Sequence, residues 1–574
     1  MRRFFWGVLV GLIATIVGLI IIVLAIGRLA AHKRPTIEAN SVLVLALEGN
    51  IPEANTVDIP IPFIQSPGGP TIRDLWTSLR EAGRDHRIKA IVLQPRNLLI
   101  GWAKLEEIHD ELLDFKKSGK PVYAFLQGSG SKEYYLASVA DKIYMSPDDM
   151  LNVKGLLLDA MYFKNTLDKI GVSVQVDHIG RYKDAGDTFT RSDMSPETRE
   201  VLNGVLDQLY GDFCFTVAQG RHKTPDQIRA LIDSGPFMGT DAKTAGLVDQ
   251  LGYEDEVYTD LKRKLGVSDL NKTYMKSYYR AVPERGDHIA MIVGQGEIVR
   301  SRREGGFGNA DVISSTALAK VIRQVRNDSS IKGVILRIDS PGGDSVASDD
   351  LLHELKLLSG AKPLVISMSD VAASGGYFMS VTGDPIVAYP DTITGSIGVL
   401  YEKPNLRDLY SKLGIGSATL MRGKFADIDS LSTPLSDAAQ LKLHESILAT
   451  YKSFVSKVAT ARHKSYDQID AIAQGRVWMG TQARANGLVD QLGGLDSAVA
   501  LIRQRAKLPG NGDTDLVVYP PKRSIFDLLT GSSAQGIEEE FAETKIREVL
   551  PGLPGPAFLQ GGLLRAMPYK LTIH

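Results

Sequence analysis

The chain has 574 residues, which is long enough for two or more domains with complete cores. Its formal net charge is −1. The near-neutral charge and the 44% hydrophobic content argue against a nucleic-acid-binding protein and against a disordered one. The single Cys214 excludes an internal disulfide and any multi-cysteine metal site.

The N-terminus carries the first predicted element. Residues 4–27 contain no charged side chain, while Arg2 and Arg3 precede them and Arg28 follows. A helix of this length crosses ~30 Å of hydrocarbon. The segment is longer than the ~7–15-residue apolar core of a cleavable signal peptide, the alternative interpretation. We therefore predict an uncleaved anchor within residues 1–34, whose orientation the basic residues on both sides leave open.

An internal repeat organises the rest of the chain. Residues 246–252, GLVDQLG, recur unchanged at 487–493, a spacing of 241 residues (246 to 487). The segment 88–93 likewise matches 331–336, a spacing of 243 (88 to 331). The chain is thus a tandem duplication.

Each repeat alternates short apolar runs with helical patterns, which is typical of an α/β domain with buried strands. Residues 41–47 are the first predicted strand. We predict an N-terminal repeat domain at 41–267, a linker near 268–285, a C-terminal repeat domain at 286–506 and an extension at 507–574. An apolar stripe at helical spacing predicts one core helix in each repeat, with the residues Ile447, Tyr451, Phe454, Val455 and Val458 in the second and Leu206, Tyr210, Phe213, Cys214 and Val217 in the first.

Ser374 is the candidate nucleophile. It follows the apolar run 363–368, a predicted buried strand, and precedes 377–379, which are suited to open a helix. Free amides of a first helical turn stabilise negative charge that develops on a substrate carbonyl oxygen. Alone, a Ser-Gly-Gly sequence is more often an ordinary strand-to-helix turn.

The repeats differ in the polar residues that each retains. When Tyr135 is aligned with Tyr377, Ser374 falls opposite Lys132, and a shift of one residue places it opposite Ser131 instead. When Gly180 is aligned with Gly423, Lys183 falls opposite Ala426. The second repeat therefore offers a nucleophile and the first a base.

Four motifs in this order resemble the signal peptide peptidase A family in its long, tandem, membrane-anchored bacterial form. They are YKDA at 182–185, DSPGG at 339–343, AASGGY at 372–377 and TGSIG at 394–398. The resemblance covers roughly residues 41–506. It implies a fold of two tandem ClpP/crotonase-like β-β-α superhelix domains and a serine endopeptidase with a Ser-Lys dyad.

The resemblance also implies partners and a location. The expected substrates are cleaved signal peptides and other apolar peptides, and the expected location is the bacterial inner membrane. A single helix would bind membrane lipid, with the catalytic domains on the periplasmic side. A homo-oligomer is expected, with a tetramer favoured, and neither nucleic acid nor a cofactor is expected.

The resemblance assigns roles to individual residues. Ser374 matches the nucleophile and Lys183 the general base, while Ser396 matches a serine that hydrogen-bonds that lysine. Gly343 and Gly375 match the positions whose amides form the oxyanion hole. The sequence departs from the family at Asp184 and Asp187, and a carboxylate near Lys183 would favour its charged form.

A Ser-Lys pair also has a physical requirement. A lysine amine starts from a pKa near ~10.4 and must lose its proton to act as a base near neutral pH. Lowering that pKa by roughly three units corresponds to about 4 kcal/mol, which a water-excluding site between two domains can supply. No histidine is needed, and the ten histidines show no metal-ligand spacing, so no metal is expected.

Two other functions remain open at this stage. A crotonase-like acyl-CoA enzyme would share the glycine-rich oxyanion loops without needing Ser374 as a nucleophile. A non-catalytic membrane scaffold would keep the repeats but would survive loss of Ser374 and Lys183.

Overall fold

The computed structural model describes most of the two repeats. The described residues are 35–55, 57–58, 69–283, 285–301, 312–510, 512–521, 523–524 and 562–566, with the single positions Gly11, Thr15 and Gly18. The predicted anchor helix spans residues 4–27, and apart from these three positions it lies outside the described residues. Within the described part of the chain, no helix has both the length and the apolar character that a membrane crossing requires.

Polar caps set where the helices begin. The Thr71 hydroxyl accepts a hydrogen bond from the Asp74 amide, and the Asp74 carboxylate accepts one from the Thr71 amide. This capping box satisfies amides that have no partner inside the helix. The helices of the described residues are Ile72–Arg84, Trp102–Lys116, Ser131–Ala137, Lys164–Ile170, Asp187–Thr190, Pro196–Gly220, Pro225–Ile232, Gly239–Thr244, Glu254–Leu265, Met275–Ala281, Ser315–Asn327, Ser345–Ser359, Gly375–Ser380, Arg407–Lys412, Asp437–Ala461, Tyr466–Asp470, Gly480–Ala485 and Leu495–Arg505.

The strands are mostly short and apolar. In chain order they are β1 (Ser41–Gly49), β2 (Val57–Asp58), β3 (Ile88–Leu98), β4 (Val122–Leu126), β5 (Lys142–Met145), β6 (Met150–Leu151), β7 (Ser173–Ile179), β8 (Phe237–Met238), β9 (Gln250–Leu251), β10 (Asn271–Tyr274), β11 (Asp287–Gln295), β12 (Glu297–Val299), β13 (Val312–Ser314), β14 (Gly333–Ser340), β15 (Gly342–Asp344), β16 (Leu364–Ala373), β17 (Ile386–Ala388), β18 (Ile393–Gly395), β19 (Val399–Asn405), β20 (Val477–Met479), β21 (Gln491–Leu492), β22 (Thr514–Tyr519), β23 (Arg523–Ser524) and β24 (Gly562–Ala566).

Each unit is built on its own central sheet. In the first unit the strand order is β10-β1-β3-β4-β5-β9, with every neighbouring pair parallel. In the second unit the order is β20-β18-β16-β14-β11-β22, with β17 beside β16. Parallel strands buried on both faces explain the continuous apolar runs in the sequence. The prediction of an α/β chain is confirmed.

The segment predicted as a linker, 268–285, contains regular structure. Residues Asn271–Tyr274 form β10, which pairs in parallel with β1, and helix Met275–Ala281 follows. In the second unit, β22 pairs with β11 in the same way. In each unit, the strand that comes last in the chain thus pairs with the strand that comes first. Because β22 spans Thr514–Tyr519, the second unit's sheet extends past residue 506. β10 lies at the edge of its sheet, where polar residues are tolerated. Its sequence, Asn-Lys-Thr-Tyr, therefore lacks the apolar pattern by which the other strands were predicted.

A third sheet joins the two units. Its order is β13-β12-β15-β24-β19-β7, so that β7 of the first unit pairs antiparallel with β19 of the second. The central sheets also share one apolar core, in which Leu93 and Val122 of the first unit lie in the same buried cluster as Ile335 and Val365 of the second. The units are therefore packed against each other over a continuous hydrophobic interface.

The predicted core helices are confirmed. They are Pro196–Gly220 and Asp437–Ala461, each of 25 residues. All five stripe residues of the second helix are buried. In the first helix Phe213, Cys214 and Val217 are buried, while Leu206 and Tyr210 are partly buried against the core.

Candidate active site

Ser374 stands between β16 and helix Gly375–Ser380, as the sequence predicts. Serine at this position commonly caps a helix with its hydroxyl, but the Ser374 side chain makes no capping hydrogen bond. Its backbone has φ 53° and ψ −110°, a conformation that costs a non-glycine residue about 1–3 kcal/mol. The Ser374 amide donates to the Gly395 carbonyl at 2.8 Å, which helps to hold this turn. The hydroxyl is thus left available to a group other than its own helix.

The third sheet brings Lys183 to the second unit. Strand β7 pairs with β19 along its whole length, from Ser173 opposite Asn405 to Ile179 opposite Val399. Just beyond β7, the Tyr182 amide donates to the Gln474 carbonyl at 2.8 Å. These backbone contacts fix the position of the next residue, Lys183.

The Lys183 amine meets the Ser374 hydroxyl. Nζ of Lys183 donates to Oγ of Ser374 at 3.0 Å. It also donates to Oγ of Ser396 at 3.0 Å and to the Ser396 carbonyl oxygen at 3.1 Å. All three residues are fully buried. When the amine is neutral, its lone pair at this distance can accept the hydroxyl proton of Ser374.

Two glycines make room for the lysine. A Cβ at Gly475 would lie 2.5 Å from the Cβ of Lys183, and a Cβ at Gly398 would lie 3.0 Å from its Cδ. Gly475 also has a φ of +75°, which favours glycine. Gly398 belongs to the TGSIG motif, whereas nothing in the sequence around Gly475 pointed to the site.

The two predicted oxyanion glycines lie in different elements, Gly343 in β15 and Gly375 at the start of the helix that follows Ser374. Gly343 is in β15, opposite Ile298 of β12, and a Cβ there would lie 2.1 Å from the Ile298 carbonyl oxygen. A Cβ at Gly375 would lie 2.7 Å from Oγ of Ser348. Gly375 is the first residue of its helix, where an amide has no acceptor within the helix. Both positions therefore accept only glycine without local rearrangement.

The structure corrects the alignment of the repeats by one residue. The Tyr134 hydroxyl donates to the Leu247 carbonyl, and the Tyr377 hydroxyl donates to the Leu488 carbonyl, which is the same residue of the repeated GLVDQLG. Tyr134, rather than Tyr135, therefore corresponds to Tyr377. Three residues before it, Ser131 rather than Lys132 corresponds to Ser374. The first unit thus keeps a serine at this point.

Comparisons with known proteins match both units. The profile of Peptidase family S49 matches residues 114–268 and 356–509. The chain is 35% identical over 531 residues to "Serine protease SPPA, chloroplastic" of Arabidopsis thaliana, covering 90% of this chain and 77% of that protein. It is 36% identical over 514 residues to "Protease 4" of Salmonella typhi, covering 87% and 81%.

The chain belongs to peptidase family S49.

It is a serine peptidase, as the four motifs predicted, and it is neither of the two alternatives. A shorter relative, "Putative signal peptide peptidase SppA" of Enterococcus faecium, is 32% identical over 223 residues, covering 39% of this chain and 62% of that protein. Among solved structures, the ClpP1 N165D mutant from Listeria monocytogenes covers 36% of this chain and 94% of that chain, with 15% identity and a TM-score of 0.22. That score is too low to bear on the fold.

In this S49 peptidase, a buried ion-pair network ties the first unit to the loops of the site. Nζ of Lys104 donates to Oδ2 of Asp339 at 2.6 Å and lies 3.6 Å from Oδ2 of Asp370. Asp339 also accepts a hydrogen bond from the Val371 amide at 3.2 Å. Asp370 accepts the amides of Gly101 and Lys104 at the start of helix Trp102–Lys116. Because Asp339 and Asp370 lie in the strands that lead to Gly343 and Ser374, Lys104 holds both segments against the first unit.

Arg337 lies at the centre of this network. Its guanidinium is fully buried, donates to Oε2 of Glu53 at 2.9 Å and also donates to Glu107. Burial by itself raises the pKa of Glu53, but the charges of Arg337 and Lys104 outweigh that effect and hold the pKa below its usual value. The two carboxylates come from the first unit and the guanidinium from the second, so these charges pair only when the units are docked. Sequence patterns did not single out Glu53, Glu107 or Arg337.

Asp184 directly follows Lys183 in the chain, and Asp187 lies four residues beyond it. Asp184 accepts a hydrogen bond from the Thr198 hydroxyl. Burial and the charge of Asp184 raise the pKa of Asp187 to about 6. A carboxyl that the sequence did not reveal, Glu402, is also buried beside the site. Burial raises the pKa of Glu402 to about 8 against the opposing charge of Lys183. Glu402 is thus mostly uncharged at pH 7.

In the portion of the chain that the structure describes, no three His, Cys, Asp or Glu side chains are grouped so as to hold a metal ion.

Proposed function

We propose that this S49 peptidase is a membrane-anchored endopeptidase that cleaves signal peptides and other apolar peptides with Ser374 as nucleophile and Lys183 as general base. The observation that carries the proposal is the 3.0 Å distance between Nζ of Lys183 and Oγ of Ser374 in a fully buried setting. A serine and a lysine in this relation form a known variant of the Ser-His-Asp arrangement.

The reaction begins with proton transfer from Ser374 to the neutral amine of Lys183. Oγ of Ser374 then attacks the peptide carbonyl carbon, and the negative charge on the carbonyl oxygen is held by the amides of Gly343 and Gly375. Collapse of the tetrahedral intermediate breaks the C–N bond, and the ammonium of Lys183 returns the proton to the leaving amine. Lys183 next takes a proton from water, whose oxygen attacks the acyl carbonyl carbon. Collapse of this second intermediate breaks the ester bond to Oγ of Ser374, the carboxyl product leaves, and the ammonium of Lys183 returns its proton to Oγ.

Burial supports the role of Lys183. Removing an amine from water disfavours its charged form, and Lys183 is fully buried. Nζ of Lys183 donates to the hydroxyls of Ser374 and Ser396 and to the Ser396 carbonyl. Ser396 fixes the direction of Nζ and acts as a positioning residue.

The decisive experiment is intact-mass detection of an acyl adduct. A serine-directed acylating inhibitor should add one acyl group to the wild type, none to Ser374→Ala, and at most a slow trace to Lys183→Ala. Ser380→Ala is the matched control, because Ser380 is also buried and its hydroxyl donates to the Gly376 carbonyl. The proposal fails if Ser374→Ala is still acylated or if Ser380→Ala is not.

The fold proposal is that both units are ClpP/crotonase-like domains. It is supported by the two family matches, one within each unit, and by the equivalent central sheets. An experimental structure in which either unit fails to superpose on such a domain would remove this part of the proposal.

The location proposal rests on residues 4–27, which are apolar and uncharged. They would anchor the protein in the bacterial inner membrane and hold the catalytic units on the periplasmic side. Membrane flotation and protease accessibility in spheroplasts test this: the protein should float with membranes and be cut only from outside. The substrate class is supported by the name of the Enterococcus faecium relative.

The oligomer proposal commits to further copies of this chain, with a tetramer favoured. It is supported by helices Lys164–Ile170 and Arg407–Lys412, which have no buried residues and contact each other through the Leu409 amide and the Gly171 carbonyl. Leu413 and Leu420 near them are 64% and 96% exposed. Light scattering of the detergent-purified protein should give four chains, and substitution of both leucines by serine should give fewer.

A further inference from the structure

Arg476 of the second unit binds two residues of the first. Its Nη1 donates to Oε1 of Glu200 at 2.6 Å, and its Cζ lies 4.8 Å from the centroid of the Tyr182 ring. The Tyr182 hydroxyl in turn donates to Oε2 of Glu200 at 3.3 Å. Cζ of Arg476 also lies 4.7 Å from the centroid of the Trp478 ring in its own unit. Arg476, Glu200 and Tyr182 therefore form a closed set of contacts across the boundary between the units.

Arg476 contacts two segments that hold the Lys183 amine. Tyr182, which the guanidinium contacts, immediately precedes Lys183 in the chain. The main-chain carbonyl of Arg476 accepts a hydrogen bond from the Ser396 amide at 2.8 Å, and Ser396 accepts two hydrogen bonds from Nζ. Tyr182 is thus held at its ring and hydroxyl, while its amide is held by the Gln474 carbonyl. These contacts leave the following residue, Lys183, little freedom to move.

The duplication divides the ion pair between the repeats. At the repeat spacing of 241 residues, Arg476 corresponds to Gly235 (235 to 476) and Glu200 to Leu441 (200 to 441). Only the second repeat therefore has the arginine, and only the first has the carboxylate. The proposed nucleophile and base are divided between the repeats in the same way.

We propose that Arg476 is a positioning residue for the Ser-Lys reaction, which holds Tyr182 and thereby keeps the amine of Lys183 directed at Oγ of Ser374. The inference rests on the proposed role of Lys183 and extends it, because it assigns the orientation of the base to a residue outside the four motifs. A planar guanidinium stacks on a ring while its edge donates to a carboxylate, whereas a lysine ammonium is a point charge with no face to stack. Because the side chain of Glu200 is 49% exposed, its ion pair alone contributes little to stability.

The rate of acylation of the full-length protein tests the proposal. A serine-directed acylating inhibitor is added to the wild type, Arg476→Gln and Arg476→Lys, and intact mass follows the acyl adduct over time. We expect Arg476→Gln to react about tenfold to 100-fold more slowly, because a displacement of the base by a fraction of 1 Å to 1 Å has an effect of that order. Arg476→Lys should lie between the two, since it keeps the charge and loses the stack.

The same substitution in a Lys183→Ala protein separates positioning from a general structural role. With no base left to direct, Arg476→Gln should change the residual acylation rate by less than about twofold. A merely structural arginine would slow both backgrounds alike. Glu200→Ala, an exposed change in the first unit, is a second variant with the same expected pattern and a smaller effect.

Arg80→Gln is the matched control. Cζ of Arg80 lies 4.8 Å from the Trp76 ring, and its Nη1 donates to Oδ1 of Asp496 in the second unit at 2.6 Å. Arg80 thus makes the same two kinds of contact between the units, but its helix, Ile72–Arg84, contributes no residue to the candidate site. It should be acylated at the wild-type rate. Circular dichroism and the unfolding midpoint verify that each variant is folded.

Three outcomes would overturn the inference. They are a wild-type rate in both Arg476→Gln and Glu200→Ala, an equal slowing by Arg476→Gln with and without Lys183, and a slowing by Arg80→Gln as large as that by Arg476→Gln. Failure of the proposed function has a different signature, which is a wild-type acylation rate in Lys183→Ala itself. That result would remove both the base and its positioning residue.

Discussion

Gly475 lies directly against Lys183, so that a Cβ at Gly475 would be 2.5 Å from the Cβ of Lys183 and 2.6 Å from its amide nitrogen. We predict that Gly475→Ala lowers kcat/KM about 100-fold or more, because the methyl group must push the base away from Ser374 and a displacement near 1 Å has an effect of that order. Steady-state kinetics on a fluorogenic peptide measures it.

Gly414→Ala provides the matched control for that variant. Gly414 has a φ of +72°, close to the +75° of Gly475, but a Cβ there meets nothing within 4 Å. Both variants carry the penalty of about 1–2 kcal/mol for a side chain at positive φ, and only Gly475→Ala carries the clash. Equal activity in the two variants would contradict the positioning argument.

Ser396 offers the second prediction. Ser396→Ala removes one of the acceptors that hold Nζ of Lys183, and we expect kcat to fall roughly 10- to 100-fold with KM unchanged, since only the general base is affected. Ser396 also has a φ of +49°, so Ala adds no backbone strain that Ser lacks. Ser396→Gly, which relieves the strain but also lacks the hydroxyl, should show the same loss of kcat. Retention of full activity by Ser396→Gly would remove the hydroxyl from the mechanism.

Arg337→Met should strongly destabilise the protein. It leaves Glu53 and Glu107 buried without their guanidinium, and breaking a buried ion pair from one side costs about 3–5 kcal/mol. Arg84→Met is the control because Arg84 is exposed and its ion pairs with Glu81 and Asp513 contribute about 0–1 kcal/mol. Urea unfolding distinguishes them, and similar losses in both variants would show that the Arg337 network does not hold the units together.

The raised pKa of Glu402 leads us to predict that the stability of the protein depends on pH. Its folded-state pKa is raised to about 8 by burial, from an ordinary value of 4.5. Between these two pH values the folded protein holds a proton that the unfolded chain has lost, so this residue's contribution to stability declines as the pH rises from about 5 to 8. Glu402→Gln should remove the decline and raise the unfolding temperature most at pH 8 to 9.

Unfolding temperatures of the Glu445→Gln variant, measured over the same pH range, serve as the control for Glu402→Gln. Glu445 pairs with Lys442 on the exposed surface, and its replacement should leave the shape of the stability profile unchanged. A Glu402→Gln profile that is parallel to the wild-type profile from pH 5 to 9 would contradict the prediction.

The sequence by itself determined the duplication, the α/β class, the peptidase family and the division of Ser374 and Lys183 between the two repeats. These features are local: apolar runs predict buried strands, and motifs such as AASGGY and TGSIG require small residues at turns. The same local patterns missed β10, whose polar sequence is tolerated at a sheet edge, and aligned the repeats one residue out of register near Ser374.

Only the tertiary structure decided which distant segments meet. The distance between Lys183 and Ser374 depends on the antiparallel register of β7 with β19 and on the space left by Gly475, and both are set by packing between segments far apart in the chain. The buried charges at Arg337, the carboxyl of Glu402 beside Lys183 and the insertion of β24 arise in the same way. Pairing between remote strands is selected by the fit of whole surfaces, and no short stretch of sequence contains that information.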